Sequence, residues 1–190
     1  MPTAGPIIIV GGGQAGLQIA ESLRHENFDG PITLFGAEAH APYNRPPLSK
    51  KWLLERSAPA TLAIRGPEAL QRRRIDLQLG CEVSAIDRVA REVRSADGRR
   101  HAYAGLALAT GAELRKLALP GTNLRGVYAL RTIEDAQAIS AALDACAARG
   151  LPLVVIGGGF IGLEVAATAR KGGGEVTVLE ALSALTIPAE

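Results

Sequence analysis

The chain has 190 residues, of which 47% are hydrophobic, 21% are charged and 4% are aromatic. This composition provides enough aliphatic side chain for one or two packed domains and excludes both a disordered chain and a coiled coil. The formal net charge of +2 is too small to drive nucleic-acid binding through counterion release. We therefore expect no nucleic-acid partner.

The N-terminal residues and the two cysteines indicate a compartment. No stretch approaches the roughly 18 apolar residues of a membrane span, and residues 1–6 lack the basic start of a targeting segment. Cys81 and Cys146 have neither metal-site nor disulfide-framework spacing, and we interpret them as two small core thiols. The sequence predicts a soluble cytoplasmic protein with no metal and no membrane partner.

The first predicted elements occur twice in the chain. IIIVGGGQAGLQIAESL at 7–23 aligns without a gap with LVVIGGGFIGLEVAATA at 153–169. Each copy opens with an apolar run typical of a strand buried on both faces of a parallel sheet, then has a Gly-x-Gly-x-x-Gly turn and a helix. A second apolar strand follows at 32–35 and at 176–179, with an acid nearby at Glu38 and Glu180. This context predicts a dinucleotide-binding unit in each copy.

The three glycines of each turn have separate predicted tasks. The first allows the tight turn, the second removes a Cβ where a pyrophosphate must approach the backbone, and the third lets the helix pack closely on the strand. In chain order they are Gly11, Gly13 and Gly16 in the first copy and Gly157, Gly159 and Gly162 in the second. The phosphates are expected at the helix N-terminus, and the nearby acid is expected at the adenosine ribose.

Short strands and one helix are predicted between the copies. The strands are expected at 75–79, 82–87, 91–95 and 106–111, with an Asp-Gly hairpin turn at 97–98. A helix is expected at 132–149, capped by Thr132 with Asp135 and stopped by Gly150. The predicted fold class is α/β. It has two Rossmann-like units with parallel sheets, the first carrying a β-meander insertion and the second incomplete.

Three segments between the glycine turns carry a family resemblance. They are PYNRPPLSK at 42–50, LALATGA at 106–112 and YALRTIEDA at 128–136. In this order they resemble the FAD-dependent ferredoxin reductases that serve bacterial dioxygenases, cytochrome monooxygenases and rubredoxins. RPPLSK at 45–50, the most specific motif, is also similar to the apoptosis-inducing-factor relatives. The resemblance implies an FAD-binding domain at 1–115 and the start of an NADH-binding domain at 116–190.

The resemblance also implies the cofactor contacts. Glu38 would reach the FAD ribose from one residue later than in many relatives, because this chain has Ala37 directly after the glycine that ends the strand. The residues implied to contact FAD are Gly11, Gly13, Ala15, Gly16, Glu38, Arg45, Lys50, Val83, Ala109, Thr110, Gly111 and Arg131. Those implied to contact NADH are Gly157, Gly159, Gly162 and Glu180. A carboxylate at Glu180 favours NADH over NADPH by repelling a 2′-phosphate.

The implied catalytic pair is Lys50 and Glu164, which in the wider flavoprotein class meet near flavin N5. Lys50 would stabilise negative charge on the reduced flavin, and Glu164 would balance Lys50. Two simpler interpretations stay open: Lys50 as an exposed lysine beside Lys51, and Glu164 as a first-turn acid that interacts with the helix dipole.

The resemblance implies an electron route from NADH through FAD to a ferredoxin- or rubredoxin-type iron–sulfur protein. Residues 17–80 contain no cysteine, so the redox disulfide of related reductases has no counterpart there. Because the relatives continue through further segments, we expect a truncated chain. Two alternatives remain open: a non-catalytic dinucleotide-binding module, and an NADH oxidase or monodehydroascorbate-type reductase.

Overall fold

The computed structural model describes residues 4–115 and 117–183. The chain forms two compact units, the first made of Met1–Asn44 with Pro59–Ala112 and the second made of Arg45–Ala58 with Glu113–Glu190. The segment Arg45–Ala58 therefore groups with the second unit, whereas the sequence-based division at residue 115 places it in the first. Across the described ranges, every helix is too short or too polar to cross a membrane.

The described residues contain five α-helices and nine β-strands. In chain order they are β1 (Ile7–Val10), α1 (Gln14–His25), β2 (Ile32–Phe35), α2 (Lys51–Glu55), α3 (Pro67–Arg72), β3 (Ile75–Gln78), β4 (Val83–Asp87), β5 (Glu92–Ser95), β6 (Arg100–Ala102), β7 (Gly105–Leu108), α4 (Ile133–Arg149), β8 (Leu153–Ile156), α5 (Phe160–Lys171) and β9 (Val176–Leu179). Two 3₁₀ helices, Pro46–Ser49 and Pro59–Leu62, flank α2.

The first unit is built on a parallel sheet with strand order β3-β2-β1-β7. The β1 residue Ile7 pairs with Ile32 of β2 and with Gly105 of β7, so β1 is a central strand. Side chains alternate between the two faces of a strand. Ile9 accordingly packs in one buried cluster with residues of α1 and α3, and Ile8 packs in another with Val93 of β5. The prediction of a first strand buried on both faces is confirmed.

An antiparallel sheet of β4, β5 and β6 is inserted into the first unit. The turn between β5 and β6 contains Gly98 at φ +87°, a conformation that suits glycine. The hairpin turn and the meander are therefore confirmed. The return strand β6 was not predicted, and the strand expected at 106–111 is instead β7, which begins at Gly105 and joins the parallel sheet beside β1.

The second unit contains α4 and a parallel pair of strands, β8 and β9. The start of α4 has the predicted capping box between Thr132 and Asp135, and the helix ends at Gly150, which has φ +61°. The prediction that the strand at 153–156 is buried on both faces is wrong. Val154 and Ile156 are 52% and 58% exposed, because α5 packs on these strands while the opposite face stays open to solvent.

The two cysteines are less buried than the sequence interpretation expects. Both are free and only half-buried. Cys81 packs at the margin of the cluster that contains Ile8 and Phe35, and Cys146 lies near the end of α4. Neither thiol is therefore a fully buried core residue.

Candidate functional site

The first and third glycines of both turns are required by the backbone itself. Gly11 has φ +122° and Gly157 has φ +105°, a region that residues with a Cβ rarely adopt. A Cβ on Gly16 would lie 2.0 Å from the Gly11 carbonyl oxygen, and a Cβ on Gly162 would lie 2.1 Å from the Gly157 oxygen. The two turns therefore have the same internal geometry, which brings the start of the helix against the end of the strand.

The second glycine of each turn has a different environment. A Cβ built on Gly13 or on Gly159 would meet no atom within 4 Å. Both residues are helix N-caps with extended backbone, and no described side chain caps α1 or α5. Neither first turn has an acidic residue, whereas the first turn of α4 has two acids and a capping box. The interpretation of Glu164 as a first-turn acid is therefore wrong, because α5 begins at Phe160. The starts of α1 and α5 thus suit an anionic ligand, because their N–H groups and dipole favour negative charge.

The acids that follow the second strands occupy different positions. The carboxylate of Glu180 accepts hydrogen bonds from the N–H of Leu182 at 2.9 Å and from the N–H of Gly158, inside the second turn, at 2.6 Å. These two donors lower the pKa of the Glu180 carboxyl. Glu38 lies after β2, and its carboxylate accepts a hydrogen bond of 2.6 Å from the hydroxyl of Tyr43. Glu180 is therefore placed directly at its glycine turn.

Residues 109–111 pass the first glycine turn. The N–H of Ala109 donates to the Val10 oxygen at 2.7 Å. A Cβ on Gly11 would lie 2.1 Å from the Ala109 oxygen, so these two backbones touch. Gly111 has φ +76°. Val83 begins β4 and is half-buried beside a register irregularity of the meander, and Ala15 is exposed in the first turn of α1.

Two of the predicted FAD residues lie together in the second unit. The guanidinium of Arg45 donates to the backbone oxygen of Arg131 at 2.7 Å. The N–H of Arg131 donates in turn to the carboxylate of Asp135, at 2.9 Å. The start of α4 therefore fixes the backbone that Arg45 contacts.

Lys50 and Glu164, the predicted catalytic pair, are also brought together in the second unit. The Lys50 Nζ lies 3.2 Å from Glu164 Oε1, and the other oxygen, Oε2, accepts a hydrogen bond of 2.5 Å from Ser49. The two charged side chains are 53% and 32% exposed. A pair this accessible contributes about 0–1 kcal/mol, whereas a hydrogen bond to a charged group contributes about 1.5–3 kcal/mol. The Ser49 contact is thus the stronger restraint on the Glu164 carboxylate.

Three residues with polar contacts at these positions were missed by the sequence analysis. Tyr43 and Ser49 lie within the motif at 42–50, but no role was assigned to either hydroxyl. Thr168 lies on α5, and its hydroxyl donates to the Ser49 backbone oxygen at 3.1 Å. The repeat itself provides a signal for Thr168, because its counterpart in the first copy, Ser22, also carries a hydroxyl.

Comparison with known proteins identifies the family of this fold. The family described as "Pyridine nucleotide-disulphide oxidoreductase" matches residues 5–190. Rhodocoxin reductase of Rhodococcus erythropolis is 48% identical over 176 residues, which cover 93% of this chain and 40% of the relative. The ferredoxin–NAD(+) reductase component of the anthranilate 1,2-dioxygenase system of Burkholderia cepacia is 43% identical, with 94% and 43% covered.

A solved structure agrees with these relatives. The covalent putidaredoxin reductase–putidaredoxin complex matches with a TM-score of 0.84 and 38% identity, covering 96% of this chain and 44% of the matched one. The chain therefore spans less than half the length of the relatives that it matches.

Proposed function

The chain belongs to the pyridine nucleotide-disulphide oxidoreductase family, and from this premise we propose that it forms part of a flavoprotein reductase. This reductase moves electrons from NADH through FAD to a ferredoxin- or rubredoxin-type iron–sulfur protein. The observation that carries the proposal is the repeated glycine turn, in which Gly13 and Gly159 each face open space at the start of a helix without a described side-chain cap. The names of the similar proteins, rhodocoxin reductase and a ferredoxin–NAD(+) reductase component, support the class of acceptor.

We assign FAD to the first glycine turn and NADH to the second. Both turns fit a pyrophosphate. The second glycine has no Cβ, and the space around it at the helix N-terminus is open, so phosphate oxygens can approach the backbone N–H groups. The residues assigned to FAD are Gly11, Gly13, Ala15, Gly16, Glu38, Arg45, Lys50, Val83, Ala109, Thr110, Gly111 and Arg131. The residues assigned to NADH are Gly157, Gly159, Gly162 and Glu180.

The protein residues act by binding and orientation. FAD, when bound, supplies the ability to accept two electrons from NADH and to release them one at a time. The N–H groups at the starts of α1 and α5 hold the pyrophosphate oxygens. Glu180 accepts hydrogen bonds from ribose hydroxyls and repels a 2′-phosphate, which selects NADH.

Lys50 supplies positive charge and Glu164 keeps that charge in place. The Lys50 ammonium stabilises negative charge that develops on its ligand, as preorganised charges do in other enzymes. Glu164 lies 3.2 Å away and favours the lysine rotamers that keep the ammonium beside its carboxylate. Both residues belong to the second unit, so their ion pair forms within one compact unit.

The proposal is tested by Lys50→Met in the protein made from the complete reading frame. We expect flavin reduction by NADH to slow by on the order of a hundredfold, or about 3 kcal/mol, with NADH affinity nearly unchanged. The reason is that a single preorganised charge is lost while the dinucleotide-binding turns are untouched. Stopped-flow measurement at the flavin absorbance band gives the rate directly.

Lys51→Met is the matched control, because Lys51 is 80% exposed and pairs with Glu55 within α2. It should reduce flavin at the wild-type rate. A wild-type rate in Lys50→Met would instead support the interpretation of Lys50 as a surface lysine. Steady-state turnover with a ferredoxin, a rubredoxin and dioxygen then identifies the acceptor. A preference for dioxygen would favour the NADH oxidase alternative.

A further inference from the structure

The hydroxyl of Ser49 is a buried group with one proton to donate. Ser49 is 4% exposed and ends the 3₁₀ helix Pro46–Ser49. Its Oγ lies 2.5 Å from Glu164 Oε2 and 3.3 Å from the Pro46 backbone oxygen. A hydroxyl donates to only one acceptor at a time, and the shorter, charge-assisted bond to the carboxylate is the stronger. Ser49 is therefore a dedicated donor to Glu164.

The two oxygens of Glu164 have separate partners. Oε2 accepts from Ser49, and Oε1 faces the Lys50 ammonium at 3.2 Å. Since Lys50 is half-exposed, water competes for its ammonium and the ion pair alone does not fix the carboxylate. A carboxylate held at one oxygen by a buried donor presents its other oxygen in a constant position. The position of the Lys50 ammonium thus depends on the Ser49 hydroxyl, because that hydroxyl orients the carboxylate that the ammonium contacts.

The backbone of Ser49 is fixed from the same helix. Thr168 lies four residues after Glu164 on α5 and is 7% exposed, and its hydroxyl donates to the Ser49 oxygen at 3.1 Å. Residues four apart share one helix face. One face of α5 therefore binds both ends of Ser49, with Thr168 at its carbonyl and Glu164 at its hydroxyl.

The helix α1, which follows the first glycine turn, can be compared with α5, which follows the second. Gln18 and Ser22 occupy on α1 the positions that Glu164 and Thr168 occupy on α5. Their side chains bond to each other at 3.2 Å on an exposed surface. The contact with Ser49 is therefore not a general feature of the helix that follows a glycine turn. It is specific to the unit that contains Lys50.

From these contacts we infer that Ser49 is a positioning residue, which orients the Glu164 carboxylate so that it holds the Lys50 ammonium in one place, and that Thr168 anchors Ser49 in turn. The importance of this device for electron transfer rests on the proposed function. The arrangement itself is a property of the chain and does not require a bound cofactor.

The primary test is competitive acetylation of the full 190-residue chain, with the labelling of Lys50 and Lys51 compared by mass spectrometry. Acetylation requires the lysine nitrogen to meet the reagent, and a Lys50 side chain held 3.2 Å from the Glu164 carboxylate meets it less often than a mobile one. We expect Ser49→Ala to raise the Lys50 to Lys51 ratio about threefold, toward the ratio of Glu164→Gln. Lys51 is the reference within each sample, and Ser22→Ala is the matched control, expected to leave the ratio at its wild-type value.

Two further variants keep the test decisive. Thr168→Val preserves side-chain shape and removes only the hydroxyl, and we expect it to raise the ratio by a smaller factor. Ser49→Thr keeps a hydroxyl and should restore the wild-type ratio. An unchanged ratio in folded Ser49→Ala overturns the inference, and so does an unchanged ratio in Thr168→Val if Ser49→Ala does not fold.

Flavin reduction by NADH separates this inference from the proposed function. We expect Ser49→Ala to lower kcat about tenfold with an unchanged KM for NADH, and to have no further effect in a Lys50→Met background, because Ser49 acts through Lys50. A raised labelling ratio together with a wild-type reduction rate in Lys50→Met would retain the positioning role and reject the proposed function of Lys50. An additive loss in the double variant would overturn the positioning role.

Discussion

The two glycine-turn units share a backbone motif and differ in what surrounds it. In both, the third glycine would place a Cβ about 2 Å from the carbonyl oxygen of the first. In the first unit the leading strand β1 is buried on both faces, whereas in the second unit alternate residues of β8 are exposed. The motif therefore specifies the turn and the start of the helix. The burial of the strand and the partners of the helix side chains depend on the rest of each unit.

The largest expected effect is a loss of stability when the third glycine of either turn is replaced. Gly16→Ala and Gly162→Ala should each destabilise their own unit, by about 3 kcal/mol, because the new Cβ overlaps a backbone oxygen that cannot move aside. Gly16→Ala should cost more, since its Cβ would lie 3.1 Å from the fully buried Leu34, whereas a Cβ on Gly162 would lie 3.3 Å from the half-buried Val155. Hydrogen exchange of peptides from α1 and α5 measures each unit separately.

The second glycine is the control for that experiment. The Cβ added by Gly13→Ala or Gly159→Ala would meet no neighbouring atom. The free energy of unfolding of each variant should therefore stay within about 1 kcal/mol of the wild-type value. We expect them to weaken dinucleotide binding, because the added methyl group occupies the space at the helix N-terminus. Equal destabilisation by alanine at the second and third glycines would contradict the division of tasks within the turn.

A smaller effect is expected from the two acids. Glu180→Ala, in the protein made from the complete reading frame, should raise kcat/KM for NADPH relative to NADH about tenfold, because repulsion of the 2′-phosphate is removed. Glu38→Ala is the matched variant in the first unit and should leave this ratio unchanged. If both variants shifted the ratio equally, the assignment of NADH to the second turn would fail.

The smallest expected effect is a pH dependence of the hydrogen bond between Glu180 and Gly158 in the second turn. The N–H groups of Leu182 and Gly158 lower the pKa of the Glu180 carboxyl from its ordinary value of 4.5. A lowered pKa means that the contact is fully present above the ordinary value and is lost as the pH falls through the lower, folded-state value. The amide nitrogen shift of Gly158 should therefore titrate with a midpoint below 4.5. Glu180→Gln should abolish this transition, and a midpoint above 4.5 would refute the assigned cause.

Local features of the fold were predictable from the sequence. The strand boundaries at Ile7–Val10 and Ile32–Phe35, the capping box of Thr132 with Asp135 and the stop at Gly150 all agree with the structure. Each depends on residues within a few positions of one another, so hydrophobic periodicity and capping chemistry suffice to find them. The resemblance to a known family provided the pairing of Lys50 with Glu164, which no local pattern indicates.

Features that depend on distant contacts were not predictable in this way. Ser49 and Thr168 are 119 positions apart, and nothing in the residues beside either one indicates the other. The exposure of Val154 has the same origin, because an apolar run shows that a strand is favoured but not whether both of its faces are covered. The short strand Arg100–Ala102 has too few residues for a periodic signal.

The grouping of Arg45–Ala58 with the second unit has a consequence for recombining such proteins. A single crossover near residue 113 between two relatives would take Lys50 from one parent and Glu164 from the other. It would also separate Arg56 from Asp144, to which its guanidinium donates, and Leu53 from Ser140, whose hydroxyl donates to the Leu53 oxygen. Chimeras that exchange the second unit should therefore carry residues 45–58 along with residues 113 onward, and inheritance of functional units in this family is expected to follow these discontinuous blocks.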